Sequence, residues 1–324
     1  MHGNDCLINV EDIGKYFDLT KSLLSRLSVG PRVLKAVDHV SFRIQKGKTL
    51  GLVGESGCGK STVARLITRL IEPSFGRVTF QEADLFGLAG KELRQMRRHV
   101  QMVFQDPFTS LNPRKRVETI IGMPLEIHFQ LHGREKRRRV MDLLEMVGMG
   151  ADHIDRYPHE FSGGQRQRLA IARALALSPS LVICDEPVSA LDVSIQAQIL
   201  NLFRRLQDEL GLTYLFISHD LSVVEHISNE VAVMYAGRIV ELASTEEIFG
   251  SPMHPYTKAL ISSRFEDRRE REKHAMRGEI ISPINPPHGC RLQKRCPRAL
   301  PACADTDPQL QEQGSGHFVA CLNI

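Results

Sequence analysis

Three short apolar runs recur along the chain, each closing on a polar or glycine-rich turn. Thr49–Val53 (TLGLV), Leu181–Cys184 (LVIC) and Tyr214–Ile217 (YLFI) read as strands buried within a sheet. Thr62–Ile71 (TVARLITRLI) and Leu169–Leu175 (LAIARAL) instead place apolar residues at helical spacing. The segment from Gln105 to about Glu160 is richer in helix-like patterns, and after about residue 250 the pattern changes again. No run approaches the roughly 18–20 apolar residues that a membrane-spanning helix needs.

Candidate chemistry sits where these elements meet. The run Thr49–Val53 leads straight into Gly54–Ser61 (GESGCGKS), and helical spacing begins at Thr62. A strand, a G-x-x-x-x-G-K-S loop and a helix make an anion site. The glycines let successive N–H groups turn inward, and the helix N-terminus adds partial positive charge. Gly54, Glu55, Ser56, Gly57, Cys58, Gly59, Lys60, Ser61 and Thr62 are therefore expected to surround the phosphates of ATP. Lys60 should reach the β- and γ-phosphates, and the Ser61 hydroxyl should bind Mg²⁺. Gly54, Gly57 and Gly59 lack the G-x-G-x-x-G spacing of a dinucleotide site. Cys58, close to Lys60 and a helix N-terminus, is expected to carry a lowered pKa, so that its oxidation or alkylation would block ATP; the other reading is a small residue that the loop merely tolerates.

Leu181–Cys184 ends in Asp185 and Glu186. Parallel α/β sheets bind ligands at the carboxyl ends of their strands. Successive strand residues point to opposite faces, so the two acids should take different tasks. Asp185 is expected to hold Mg²⁺ through its water shell, and Glu186 to orient and polarise the attacking water. Cys184, inside the strand, reads as core. Tyr214–Ile217 closes on Ser218, His219 and Asp220, and His219 is expected to contact the γ-phosphate.

Phe161–Arg168 (FSGGQRQR) sets small residues at a second helix start and so makes a second anion site. A single-chain phosphate-loop enzyme has no need of two. This segment resembles the signature of ABC ATPases, with Phe161 where Leu is usual. Gln105, in Val103–Asp106 (VFQD), resembles the Q-loop; Ser189–Asp192 (SALD) resembles the D-loop; His219 resembles the switch histidine. The resemblance covers roughly residues 5–250. It implies an α/β fold: a P-loop NTPase core with an antiparallel β subdomain, a helical subdomain at about 105–175, and a small Cys-rich extension at 251–324. It also implies that Gln105 joins Ser61 and Asp185 at Mg²⁺ and serves catalysis beside Glu186 and His219. Ser162, Gly163, Gly164, Gln165 and Asp192 would complete ATP sites across a dimer. An aromatic near the start would stack on adenine. Tyr16 is the first choice and Phe17 the fallback, because an insertion-like stretch at about 20–33 blurs the register.

Phe104–Arg114 (FQDPFTSLNPR) and Ser251–Leu260 (SPMHPYTKAL) resemble peptide and nickel importer ATPases. What that implies is ATP hydrolysis driving uptake of di- or oligopeptides, at the cytoplasmic face of the inner membrane. The partners implied are a second, homologous ATPase, two permeases and an extracytoplasmic substrate-binding protein. The alternatives are a nickel or haem-type importer and a soluble ABC ATPase of repair or translation. No sustained heptad and no second cassette is present, which disfavours the soluble class.

Composition changes this picture little. The 324 residues are 42% hydrophobic and 25% charged, as in an ordinary globular protein, and the net charge of +4 is too weak to imply nucleic acid. The basic clusters Arg134–Arg139 and Arg264–Lys273 read as solvated helix faces. The first residues lack a basic stretch followed by an apolar core, so a cytosolic chain is expected. Its 7 cysteines are then expected as thiols or metal ligands. Cys290, Cys296, Cys303 and Cys321 cluster near the end without a C-x-x-C pair. Four separated thiolates and a Cys-Pro step suit a [4Fe–4S] cluster better than zinc, with unligated thiols as the other reading.

Overall fold

The computed structural model describes residues 5–20, 32–263, 276, 278, 281–314 and 316–324. The basic cluster Arg264–Lys273 and nearly all of the 20–33 stretch lie outside the described residues. In chain order the strands are β1 (Cys6–Asp18), β2 (Val33–Gln45), β3 (Thr49–Val53), β4 (Phe75–Phe80), β5 (Ala83–Asp84) and β6 (Val100–Val103). They continue as β7 (Leu181–Asp185), β8 (Thr213–Ser218), β9 (Glu230–Tyr235), β10 (Arg238–Ser244), β11 (Gln311–Gly314) and β12 (His317–Val319). The helices are α1 (Lys60–Ile67), α2 (Gly90–His99), α3 (Pro107–Ser110), α4 (Val117–Phe129) and α5 (Gly133–Met146). They are followed by α6 (Gly163–Leu175), α7 (Val193–Leu210), α8 (Leu221–Ile227), α9 (Thr245–Gly250) and α10 (Pro255–Ser262).

The three apolar runs are strands, as their pattern requires. All five residues of β3, all five of β7 and all six of β8 are buried. Helix α1 stops short of its apolar pattern, which runs on to Ile71. Arg69 adopts φ 54°, a left-handed conformation that no helix continues through.

The described residues fall into two compact units. One holds Asp5, Gln45–Thr49 and Gly87–Ser218; the other holds Cys6–Ile44, Leu50–Phe86 and His219–Ile324. In the first, β6, β7 and β8 run parallel, with Met102 opposite Ile183 and Ile183 opposite Leu215. Helices α4, α5 and α6 pack on one another and form the helical part. Val140, Leu144 and Leu169 supply its apolar interior. Arg137 ties this part together on its surface, donating to Glu118 and to both carboxylate oxygens of Asp155.

In the second unit, β1 pairs antiparallel with β4 in a four-stranded sheet ordered β2-β1-β4-β5. A further sheet carries β3 parallel to β9, with β10 antiparallel to β9, then β12 and β11. The small Cys-rich extension expected after residue 250 is, in its described residues, built into this unit. Strand β12 pairs along β10, with Glu241 opposite Val319, and covers an edge that would otherwise leave its backbone groups open. Ile284 bridges Leu34, and Lys35 N–H donates to Pro283 O at 3.1 Å. Glu241 is fully buried, and its carboxylate is satisfied by the amides of Met253 and His254 and by His317 Nε2 at 2.7 Å.

Candidate functional site

The phosphate loop belongs to the second unit. Gly59 carries φ 115°, and a Cβ there would sit 2.1 Å from the Ala36 carbonyl oxygen. Only glycine permits both the left-handed backbone and that approach. Lys60 is 4% exposed, and its Nζ donates to the carbonyls of Gly54 at 2.8 Å and Glu55 at 3.0 Å. The lysine thus closes the loop on itself and stands at the first turn of α1. Ser56 and Gly57 are exposed at the loop's tip, while Ser61 and Thr62 are half-buried. His219 is exposed directly after β8, where Asp220 caps α8 by accepting from the Ser222 amide at 2.8 Å.

Tyr16 belongs to the same unit. Its hydroxyl donates to the fully buried carboxylate of Asp38. Its ring meets Phe75 edge-on at 5.3 Å, and Lys35 Nζ lies 5.0 Å from the ring centre. Burial, followed by the bond to Asp38, pushes the phenol well above its ordinary range.

The carboxylates belong to the first unit. Asp185 ends β7 and is 6% exposed. Glu186, half-buried, adopts φ 48°. A non-glycine residue in this region costs on the order of 1–3 kcal/mol and persists where its surroundings impose it, often at active sites. The surroundings here are visible. The Glu186 amide donates to Ile217 O at 3.0 Å, and its carbonyl accepts from the Ser189 amide and hydroxyl. Its Oε2 accepts from Gln105 Nε2 at 3.0 Å. Gln105 follows β6, so two strand ends bring these side chains together.

The helix start expected as a second anion site is capped. Ser162 accepts from the Gln165 amide at 3.4 Å while Gln165 Oε1 accepts from the Ser162 amide at 3.0 Å. This reciprocal pair fixes the start of α6 and leaves the Ser162 side chain exposed. A Cβ on Gly164 would lie 2.5 Å from Ile195 Cγ2, so the signature helix sits directly against the start of α7. Asp192 is exposed and precedes α7.

Residues 37–189 match the ABC transporter family, and residues 240–303 match the C-terminal region of oligopeptide/dipeptide transporters. The chain is 51% identical to AppF, an oligopeptide transport ATP-binding protein of Bacillus subtilis, over 98% of this chain and 97% of that one. The chain belongs to the ABC transporter ATP-binding family. It is also 49% identical to DppF, a dipeptide transport ATP-binding protein of Haemophilus influenzae, over 99% of this chain and 98% of that one. A solved ATP-binding cassette, a post-hydrolysis dimer with ADP and Pi, matches with TM-score 0.65 and 27% identity over 74% of this chain and 98% of that one. The fold is that of an ABC ATPase.

One feature of this ABC ATPase differs from expectation. Cys58 was expected to have a lowered pKa. Burial pushes the thiol up, and the Lys60 charge only offsets part of that. The thiol is enclosed by the loop, so desolvation of a thiolate outweighs the nearby cation. None of the C-terminal cysteines is in a disulfide, and burial pushes Cys290 up to about 11. Cys296, Cys303 and Cys321 are close enough to add to that rise. Among the described residues, no three His, Cys, Asp or Glu side chains are gathered so as to hold a metal ion.

Sequence reasoning missed the residues that hold the phosphate loop from the C-terminal segment. Tyr256 accepts from the Glu55 amide at 2.9 Å. Arg295 Nη1 lies 3.1 Å from Glu55 Oε2, and Arg291 donates to Asp38 and to Ala236 O. Tyr256 and Arg295 lie 201 and 240 positions from Glu55, beyond the reach of any local pattern.

Proposed function

We propose that the chain is the ATP-hydrolysing subunit of an importer for di- or oligopeptides, working at the cytoplasmic face of the cell membrane. The observation that carries this is likeness along the whole chain to proteins named for oligopeptide and dipeptide transport, including residues 240–303. No described helix is long and apolar enough to cross a membrane, which fits a subunit that docks on permeases. The partners are two permeases, a second homologous ATPase forming a heterodimer, and an extracytoplasmic substrate-binding protein. In this reading residues 5–250 form the nucleotide-binding domain, with the helical subdomain at about 105–175, and 251–324 form the transporter-type extension.

Each site residue has a task. Loop residues 54–62 cradle the phosphates of ATP, with the Lys60 ammonium among them. The hydroxyl of Ser61, the carboxylate of Asp185 and the amide oxygen of Gln105 are hard oxygen donors of the kind Mg²⁺ takes. Bound there, Mg²⁺ would neutralise phosphate charge. Glu186, aimed by its bond to Gln105, polarises the attacking water, and His219 contacts the γ-phosphate. Tyr16 stacks on adenine. Ser162, Gly163, Gly164, Gln165 and Asp192 serve the site shared with the partner ATPase.

The four C-terminal cysteines, not gathered around a metal site among the described residues, are proposed to draw together on a [4Fe–4S] cluster, whose ligation would rigidify the segment rather than take part in hydrolysis. Supporting this, the Asn323 amide donates to Cys321 Sγ at 3.4 Å. Protein purified anaerobically without iron or sulfide would count against it. The transport reading is tested by co-purification: permeases should follow a tagged chain from detergent-solubilised membranes. An active ATPase that never associates with permeases would sink it.

A further inference from the structure

The loop that must hold a polyanion contains one carboxylate, Glu55. An unneutralised acid inside such a loop repels a triphosphate. In this chain the acid is taken up entirely by the C-terminal segment. Arg295, 8% exposed, reaches Glu55 through both terminal nitrogens: Nη1 lies 3.2 and 3.1 Å from Oε1 and Oε2, and Nη2 lies 3.3 Å from Oε1. The fork is itself held. Arg295 Nη1 also donates to the Tyr235 hydroxyl at 3.3 Å, and its guanidinium lies 5.7 Å from the Tyr235 ring centre. Tyr235 packs against Tyr256 with ring centres 4.7 Å apart, and Tyr256 is 1% exposed. The Tyr256 hydroxyl closes the arrangement by accepting from the Glu55 amide.

We propose that Arg295 and Tyr256 are positioning residues for ATP binding, acting through Glu55. Arg295 neutralises the loop's carboxylate and draws it toward the C-terminal segment. Tyr256 takes up the Glu55 amide and so fixes the turn that follows Gly54. The Cys58 amide in turn donates to the Glu55 carbonyl at 3.2 Å, which holds the same turn from within the loop. The nucleotide site of this chain is in this sense completed by its own C-terminal extension. The proposal rests on the assignment of Gly54–Ser61 as the ATP loop.

The test is equilibrium binding of ATP with Mg²⁺ to the full-length chain. Arg295→Gln exposes the Glu55 charge and should weaken ATP binding roughly tenfold, the effect of losing one charge-assisted contact. Tyr256→Phe removes one acceptor and should weaken it by roughly threefold to tenfold. The deciding variant is Glu55→Gln combined with Arg295→Gln. With the acid gone there is nothing left to neutralise, so affinity should return to within about threefold of the parent. A merely structural arginine predicts no such recovery, because the double variant lacks it equally. Lys60→Ala separates the two claims. If Lys60→Ala abolishes binding while Arg295→Gln leaves it unchanged, the brace is overturned and the loop assignment stands. If Lys60→Ala binds ATP normally, both are overturned. Weak binding by the double variant, equal to that of Arg295→Gln, also overturns the charge mechanism.

Discussion

Asp38→Asn should destabilise the chain far more than a one-atom change on a surface would. Asp38 is 0% exposed and serves several donors. Its Oδ2 accepts from Arg291 and, at 3.3 Å, from Arg238, while Oδ1 accepts from the Tyr16 hydroxyl. Lys35 Nζ adds a contact at 3.9 Å. Arg291 is 6% exposed, and Arg238 keeps one other acid, Asp307, at 2.6 Å. Asparagine keeps only one of the two acceptor oxygens and supplies no charge, so a buried guanidinium is left without its counter-ion. Breaking one partner of a buried pair costs about 3–5 kcal/mol, and the surviving Asp307 argues for the lower end. In a chain of this size about 3 kcal/mol lowers the melting temperature by roughly 4–5 °C. The sign of the pH dependence follows. Burial pushes the Asp38 carboxyl up, but the Tyr16 hydroxyl and the Arg291, Arg238 and Lys35 charges outweigh it and hold it below the usual carboxylate range. Its contribution is therefore complete above the unfolded pKa of about 3.9 and is lost as pH falls through the lower folded value. Thermal unfolding of both proteins at pH 7 and at pH 3 measures this. A melting point within about 1 °C of the parent at pH 7 would refute the reasoning, given the magnitude expected of a broken buried pair.

Three further outcomes follow from single residues. Gly59→Ala forces a Cβ to 2.1 Å from a backbone oxygen at φ 115°, so ATP binding should fall by roughly a hundredfold or more, and near-parent affinity would contradict the loop geometry. His254 is held down at about 3 by burial and then by Lys258, so between pH 6.5 and about 3 the unfolded chain binds the extra proton and stability falls as pH drops. The slope is at most about 1.4 kcal/mol per pH unit, and His254→Asn, which keeps a helix-capping acceptor, should flatten the pH profile of denaturant unfolding. Cys58 is buried with its thiol pushed up, so in native protein at pH 8 it should react with maleimide at least about tenfold more slowly than exposed Cys6; equal rates would contradict its enclosure.

Local signals were legible where local physics decides. A continuous apolar run flanked by a glycine loop has few conformations open to it, and β3, β7 and β8 lie where their runs do. Ser162 and Gln165 form the reciprocal cap that a Ser three residues before a Gln allows. Signals failed where two distant segments compete or combine. The Cys58 thiol has Lys60 beside it in sequence, yet the buried setting that overrides the lysine comes from the folded loop. The C-terminal segment reads as a small, cysteine-bearing extension. Its real anchors are the pairing of β12 with β10, the Asp38–Arg291 contact and the Glu55–Arg295 contact, all made with residues far away in the chain. No period or spacing encodes such pairings.

The central claim is that ATP hydrolysis by this chain drives peptide uptake. The direct measurement is accumulation of labelled di- and oligopeptides in proteoliposomes holding the permeases, the partner ATPase and the binding protein. The parent chain should support ATP-dependent accumulation. Glu186→Gln should still bind ATP but reduce uptake by roughly a hundredfold or more, the loss expected when a group that activates water is removed. Sustained ATP hydrolysis with no accumulation of any peptide, or full uptake with Glu186→Gln, would contradict the account.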